Sequence, residues 1–261
     1  MGALLALTLV PTPARAYRRS VVDTDPNTPL YWPQREVEVE IASATSMDVG
    51  TVDLSAAAQR SLASWSLAGG CTDMVLAFGG ETESTRTSLG GGTYDGANRV
   101  VFRESGWPDP PGPGTLAITT LYYRRSTGEI LDADIDVNAV DHSWAIVAGP
   151  DAVNDDVENT LTHELGHLLG FAHSPEVGAT MFASAEAGET SKRDLDADDL
   201  AAVCETYPVD GPTPGFQRPA LTSGCSAGHS PSAGHARGAG PGLAMLGLAL
   251  VAWRRRARAA R

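Results

Sequence analysis

The chain has 261 residues, 42% of them hydrophobic, and a formal net charge of −13. That suits one globular domain with a proper core, plus tails. All 32 acidic residues but only 12 of the 19 Lys and Arg fall within 17–222, so this body carries −20. Such a charge argues against nucleic acid or an anionic membrane surface as the main partner.

The first sixteen residues, MGALLALTLVPTPARA, place a short apolar run before small residues at the positions a signal peptidase reads, so 1–16 reads as a signal peptide and 17–30 as a short N-terminal segment. From Glu36 to Ile41 the pattern alternates, with Val37, Val39 and Ile41 on one face of a half-buried strand. DLSAAAQRSLASW predicts a helix capped at Asp53 or Ser55 and stopped by Gly69-Gly70. TDMVLAFGG reads as a strand, 81–98 as a loop, and RVVFRE as another strand. WPDPPGPG is a corner that no regular element crosses. TLAITTLYYR and EILDADIDVNA are two strands joined at Ser126-Thr127-Gly128. A helix then runs through DDVENTLTHELGHLLG. Asp155 and Glu158 are placed as a capping box, Leu161, Leu165, Leu168 and Leu169 form an apolar stripe, and Gly170 is the stop. A last helix spans DLDADDLAAVCETY, closed before Pro208. The order predicts an α+β domain over 31–208.

His163-Glu164-Leu165-Gly166-His167-Leu168-Leu169-Gly170-Phe171-Ala172-His173 carries the chemistry. On a helix His163 and His167 project from one face, one turn apart, where both rings can reach one metal at about 2.0–2.1 Å. Glu164 is rotated about 100° from His163, which suits it to face a water rather than the metal. A third ligand six residues past His167 on an unbroken helix would lie roughly 9 Å further along the axis. Gly170 can take φ > 0 and turn His173 back. With 6 His in the chain, two further His at fixed offsets arise by chance in roughly one of two thousand trials. Three neutral His leave one tetrahedral position open, the mark of a catalytic Zn²⁺ site.

These residues match the HExxHxxGxxH motif of the metzincin zinc peptidases. Ser174 after the third His, and Met181 eight residues beyond it, resemble the matrixin (matrix-metalloprotease-like) branch as found in bacteria. DGANRVVF with Trp107, GTLAITT and LDADDLAAVCETYP are similar to further matrixin segments. The resemblance implies a zincin/metzincin-like catalytic domain with a twisted, mostly parallel five-stranded sheet and three helices. It also implies a metalloendopeptidase with one Zn²⁺ on His163, His167 and His173, and Glu164 as general base. Met181 would be the floor of a Met-turn, and a polypeptide substrate would add as an antiparallel strand beside Leu116 and Ala117. A non-catalytic, zinc-stabilised binding module is the alternative. The segment after Met181 lacks the family's Pro-x-Tyr, so no cleavage preference carries over. No second zinc ligand set is evident, and His142, in AVDHSW, reads as a loop or surface His. Ca²⁺ has candidate ligands in Asp132, Asp134 and Asp136, or in the acidic stretch 151–158.

Of three Cys, Cys71 and Cys204 lie in the body and would pair in an oxidising compartment; isolated thiols are the alternative. Cys225 sits in a Gly/Pro/Ser-rich linker, 209–238, ahead of a hydrophobic run and Arg cluster in 239–261. This tail resembles the C-terminal sorting signals of myxobacterial surface proteins, in which the Cys marks the processing and anchoring point. Together these features lead to the expectation of an exported monomer, either extracellular or, where the tail anchors it to the membrane, at the outer cell surface of a bacterium.

Overall fold

A computed structural model of the chain describes residues 16–89, 94–149 and 152–213, and the backbone of 243–245 and 249–252. The signal-peptide reading, most of the linker and Cys225 lie outside the described residues. Five strands form the sheet of the body: β1 (Glu36–Ala42), β2 (Val75–Glu81), β3 (Asn98–Arg103), β4 (Thr115–Arg124) and β5 (Ile130–Asn138). Their spatial order is β4-β5-β3-β1-β2. All pairings are parallel except β4 with β5, which is antiparallel because Ser126-Thr127-Gly128 joins them as a hairpin. Beyond β4, the short strands Leu243–Met245 and Ala249–Ala252 pair antiparallel with it. Among the described residues no helix is long and apolar enough to cross a membrane.

Three helices complete the domain: α1 (Thr51–Trp65), α2 (Val157–Leu168) and α3 (Ala197–Thr206). Val37, Val39 and Ile41 enter the core from β1, as their alternation requires, together with Leu54, Leu62 and Trp65 of α1 and the Leu161, Leu165, Leu168, Leu169 stripe of α2. The helix starts differ from expectation. α1 begins at Thr51 behind Gly50, which offers no side-chain cap, and Asp53 lies in the first turn, where a negative charge meets the helix dipole favourably. α2 is capped by Asp156, whose side chain accepts from Asn159 N at 2.7 Å. Asp155 turns away to His142, and Glu158 pairs with Arg60 at 2.7 Å.

The carboxyl end of α2 is held by the side chains around it. Trp32 Nε1 donates to Leu168 O at 2.8 Å and Tyr207 Oη to Leu169 O at 2.7 Å, which satisfies carbonyls a helix end leaves without partners. Trp65 Nε1 donates to Thr162 O at 2.8 Å. Cys71 and Cys204 are joined, with Cα atoms 5.2 Å apart, and tie the segment after α1 to α3. Loop-closure entropy in the unfolded chain makes a link across a loop of more than 100 residues worth about 5 kcal/mol.

Candidate metal centre

Gly170 takes φ +91° directly after α2, and a Cβ there would sit 2.9 Å from Leu30 O, so the turn demands glycine on both counts. The chain reverses through Phe171–Ala172, which pairs with Arg18–Arg19, and His173 comes back to the helix. His163, His167 and His173 can each offer a ring nitrogen within 4.8 Å of the others, and among the described residues no other group of three potential ligands converges this way. Nε2 of His167 and of His173 are 3.1 Å apart. Two ligands of one tetrahedral Zn²⁺ at ordinary bond lengths stand about 3.3 Å apart, so the spacing fits.

Backbone carbonyls orient the rings. His163 Nδ1 lies 2.6 Å from Thr180 O and His167 Nδ1 2.7 Å from Phe171 O. An Nδ1–H donating to a carbonyl leaves Nε2 as the metal-facing nitrogen, the usual second-layer support of a zinc histidine. Burial, and then the neighbouring imidazoles, push His163 well below its ordinary pKa, and the same causes bring His167 to about 3. Burial also lowers His173. All three are therefore neutral at pH 7, as metal ligands must be.

Glu164 is fully buried, and that burial raises its pKa to about 8 against the lowering effect of a hydrogen bond from Thr119. Its Oε1 has no hydrogen-bond partner among the described residues. A buried carboxyl with one open oxygen beside three neutral imidazoles suits proton transfer at a metal site.

Met181 is almost wholly buried, with its thioether beside Gly166 of α2. Its N–H and that of Thr180 donate to Asp199 at 3.1 and 2.6 Å, while Ser174 N donates to Met181 O at 2.9 Å. Asp198 accepts from Ser174 Oγ at 2.6 Å and from the amides of Ala16 and Tyr17, both at 2.9 Å. The two acidic residues that open α3 thus fix the turn under the site and the N-terminal segment as well as the helix start.

The remaining sequence candidates fall outside this cluster. Leu116 and Ala117 lie on β4, the edge strand of the body, along which 243–245 and 249–252 run. Asp132, Asp134 and Asp136 share one face of β5 and hold the 82–97 loop and β3. Asp95 N donates to Asp132 at 3.1 Å, Ser88 N to Asp134 at 2.8 Å, and Arg103 Nε to Asp136 at 2.6 Å. The carboxylates offered for calcium are thus engaged at least in part by protein donors. His142 is not a surface residue. It is buried, with Nδ1 2.8 Å from Asp155 and Nε2 2.9 Å from Pro113 O, and it bridges the 107–114 corner to the start of α2. The motif does not contain Thr119 or Thr180, and it gives no part to the Phe171 carbonyl. For Thr119 a signal existed: it is a polar residue at an inward position of a strand, between Ala117 and Leu121.

The α+β domain thus brings three neutral histidines together at the end of its HExxH helix, beside a buried glutamate, as a site for one metal ion requires. Residues 113–208 match the matrixin family, Peptidase_M10, and this stretch contains the three histidines, Glu164 and Met181. The chain is also 39% identical over 83 residues to Metalloendoproteinase 1-MMP of Arabidopsis thaliana, an alignment covering 31% of this chain and 22% of the relative. The chain thus spans about a fifth of the length of the curated relative it matches.

Proposed function

We propose that the protein is a zinc-dependent metalloendopeptidase of matrixin type. The observation that carries this reading is the convergence of His163, His167 and His173, with nitrogens within 4.8 Å, beside the buried carboxyl of Glu164. When bound, zinc supplies Lewis-acid polarisation of the scissile carbonyl and a water acidic enough to react near neutral pH. Every other part belongs to the chain. The three imidazoles hold the ion, with Nδ1 of His163 and His167 anchored on carbonyls. Glu164 accepts the proton of the attacking water and passes it to the leaving amine. Substrate backbone adds as an antiparallel strand along β4 near Leu116 and Ala117, taking the place in which Ala249–Ala252 pair with Thr115–Thr119, so main-chain hydrogen bonds supply affinity and side-chain pockets supply preference. We place the enzyme outside the cytoplasm, where the Cys71–Cys204 link persists.

The test uses the full chain, wild type and Glu164→Ala, assayed for bound zinc and for cleavage of an unfolded polypeptide with and without a chelator. One zinc in both proteins, with chelator-sensitive cleavage by the wild type alone, is expected. The variant should lose at least about a thousandfold in kcat/KM. Zinc in both and cleavage by neither would favour a zinc-stabilised binding module instead.

A further inference from the structure

The two oxygens of Glu164 have different surroundings. Oε2 accepts a hydrogen bond from Thr119 Oγ1 at 2.6 Å, whereas Oε1 has no partner among the described residues. Thr119 is on β4, paired with Ile135 across the hairpin, and its side chain is buried against α2. Its hydroxyl also lies 3.3 Å from the backbone oxygen of Glu164. A threonine has one hydroxyl proton to give. The 2.6 Å contact is of charge-assisted length and the 3.3 Å contact is not, so the proton goes to the carboxylate. Threonine is stiff about χ1, whereas the terminal torsion of glutamate is broad. Left alone, the carboxylate would rotate; docked on a strand residue, it cannot.

We propose that Thr119 is a positioning residue for Glu164, docking Oε2 so that Oε1 alone handles the proton. The role rests on the peptidase reading above. As the water oxygen bonds to the scissile carbon, one O–H bond breaks and its proton goes to Oε1. As the C–N bond breaks, that proton moves to the leaving nitrogen. Oε2 keeps the Thr119 hydrogen bond through both transfers, and Glu164 ends ionised as it began, since a cation held on the three histidines would offset the burial that by itself raises its pKa to about 8.

The experiment compares full-chain wild type with Thr119→Val, Thr119→Ala and Thr119→Ser, using a quenched fluorescent peptide that the wild type cleaves. Val and Ala are expected to lower kcat about 10- to 100-fold with KM within about twofold, and Ser to recover to within about threefold of wild type. Zinc should stay at one per chain throughout. In crystals, Glu164 should hold one rotamer in the wild type and split in Thr119→Val. The Ala variant keeps the test open should Val not fold. A kcat that is unchanged in Val and Ala, a loss carried by KM, or a Ser variant no better than Val overturns the assignment while leaving the peptidase reading intact. A zinc-loaded wild type that cleaves no polypeptide removes the peptidase reading, and the positioning role with it.

Discussion

On one face of β5, Ala133, Ile135 and Val137 lie in the hydrophobic core shared with the helices. On the other, Asp132, Asp134 and Asp136 are buried just as deeply, yet they meet the loop at 82–97, Arg99 N and the Arg103 guanidinium. One strand thus separates two ways of filling an interior. The core face gains from removing apolar surface from water, which is indifferent to pH. The acidic face gains only where each carboxylate finds a donor or a proton, and burial raises the pKa of all three. Equal depth does not mean equal physics.

The largest way to break the comparison is Arg103→Met. It leaves Asp136, fully buried, without its cation, and should cost about 3–5 kcal/mol at pH 7, measured by denaturant unfolding. The cost should shrink in acid as Asp136 takes up a proton; an unfolding midpoint unmoved at pH 7 would show that the pair stabilises nothing. On the apolar side, Leu161→Ala should cost about 2–4 kcal/mol and the same at pH 5 and pH 8. A strong pH dependence there would contradict the division drawn here.

The smallest effect is the sharpest. Burial, and then Asp132, raise Asp134 to about 7 from an ordinary 3.8. Between those values the folded chain keeps a proton that the unfolded chain releases. This group's contribution is therefore complete below about pH 4 and is lost as pH rises through about 7. Asp134→Asn removes that loss. The shift alone is worth roughly 4 kcal/mol at pH 8, and losing one of the two carboxylate acceptors offsets it by about 1–3 kcal/mol, so the variant should be more stable than wild type by roughly 1–2 kcal/mol at pH 8 and no more stable at pH 4, read from paired unfolding curves. A variant weaker than wild type at pH 8 would mean that the lost acceptor outweighs the relief, since Ser88 N and Arg99 N donate to opposite oxygens of Asp134 and asparagine has only one.

How much of this could be read from the chain depended on whether neighbours along it or across it decide. The histidine ligands, the Gly170 turn and the alternation of β1 are local patterns, and the sequence motif contains them whole. The caps were harder: Asp155 and Asp156 are equivalent by composition, and the choice is made by His142, a residue from the loop after β5 that reaches Asp155. His142 does lie in a loop, but its burial was not legible for the same reason, since Pro113 and Asp155 are distant in sequence. Thr119 and Glu164 are 45 residues apart, so no spacing rule joins them. The paired Asp198-Asp199 could be recognised by resemblance, but their separate tasks needed three dimensions.

Gly166, between Glu164 and His167, bears on how this domain can vary. A Cβ there would run into Met181 Sδ and come within 2.8 Å of Trp65. Replacing a mid-helix glycine by alanine ordinarily gains about 1 kcal/mol. Here the same methyl group has no clearance unless the Met181 thioether and the Trp65 ring give way, and both are buried in the core. Positions 166, 181 and 65 therefore form one steric unit. They can change together over evolution or in a redesign, but none of them can grow alone.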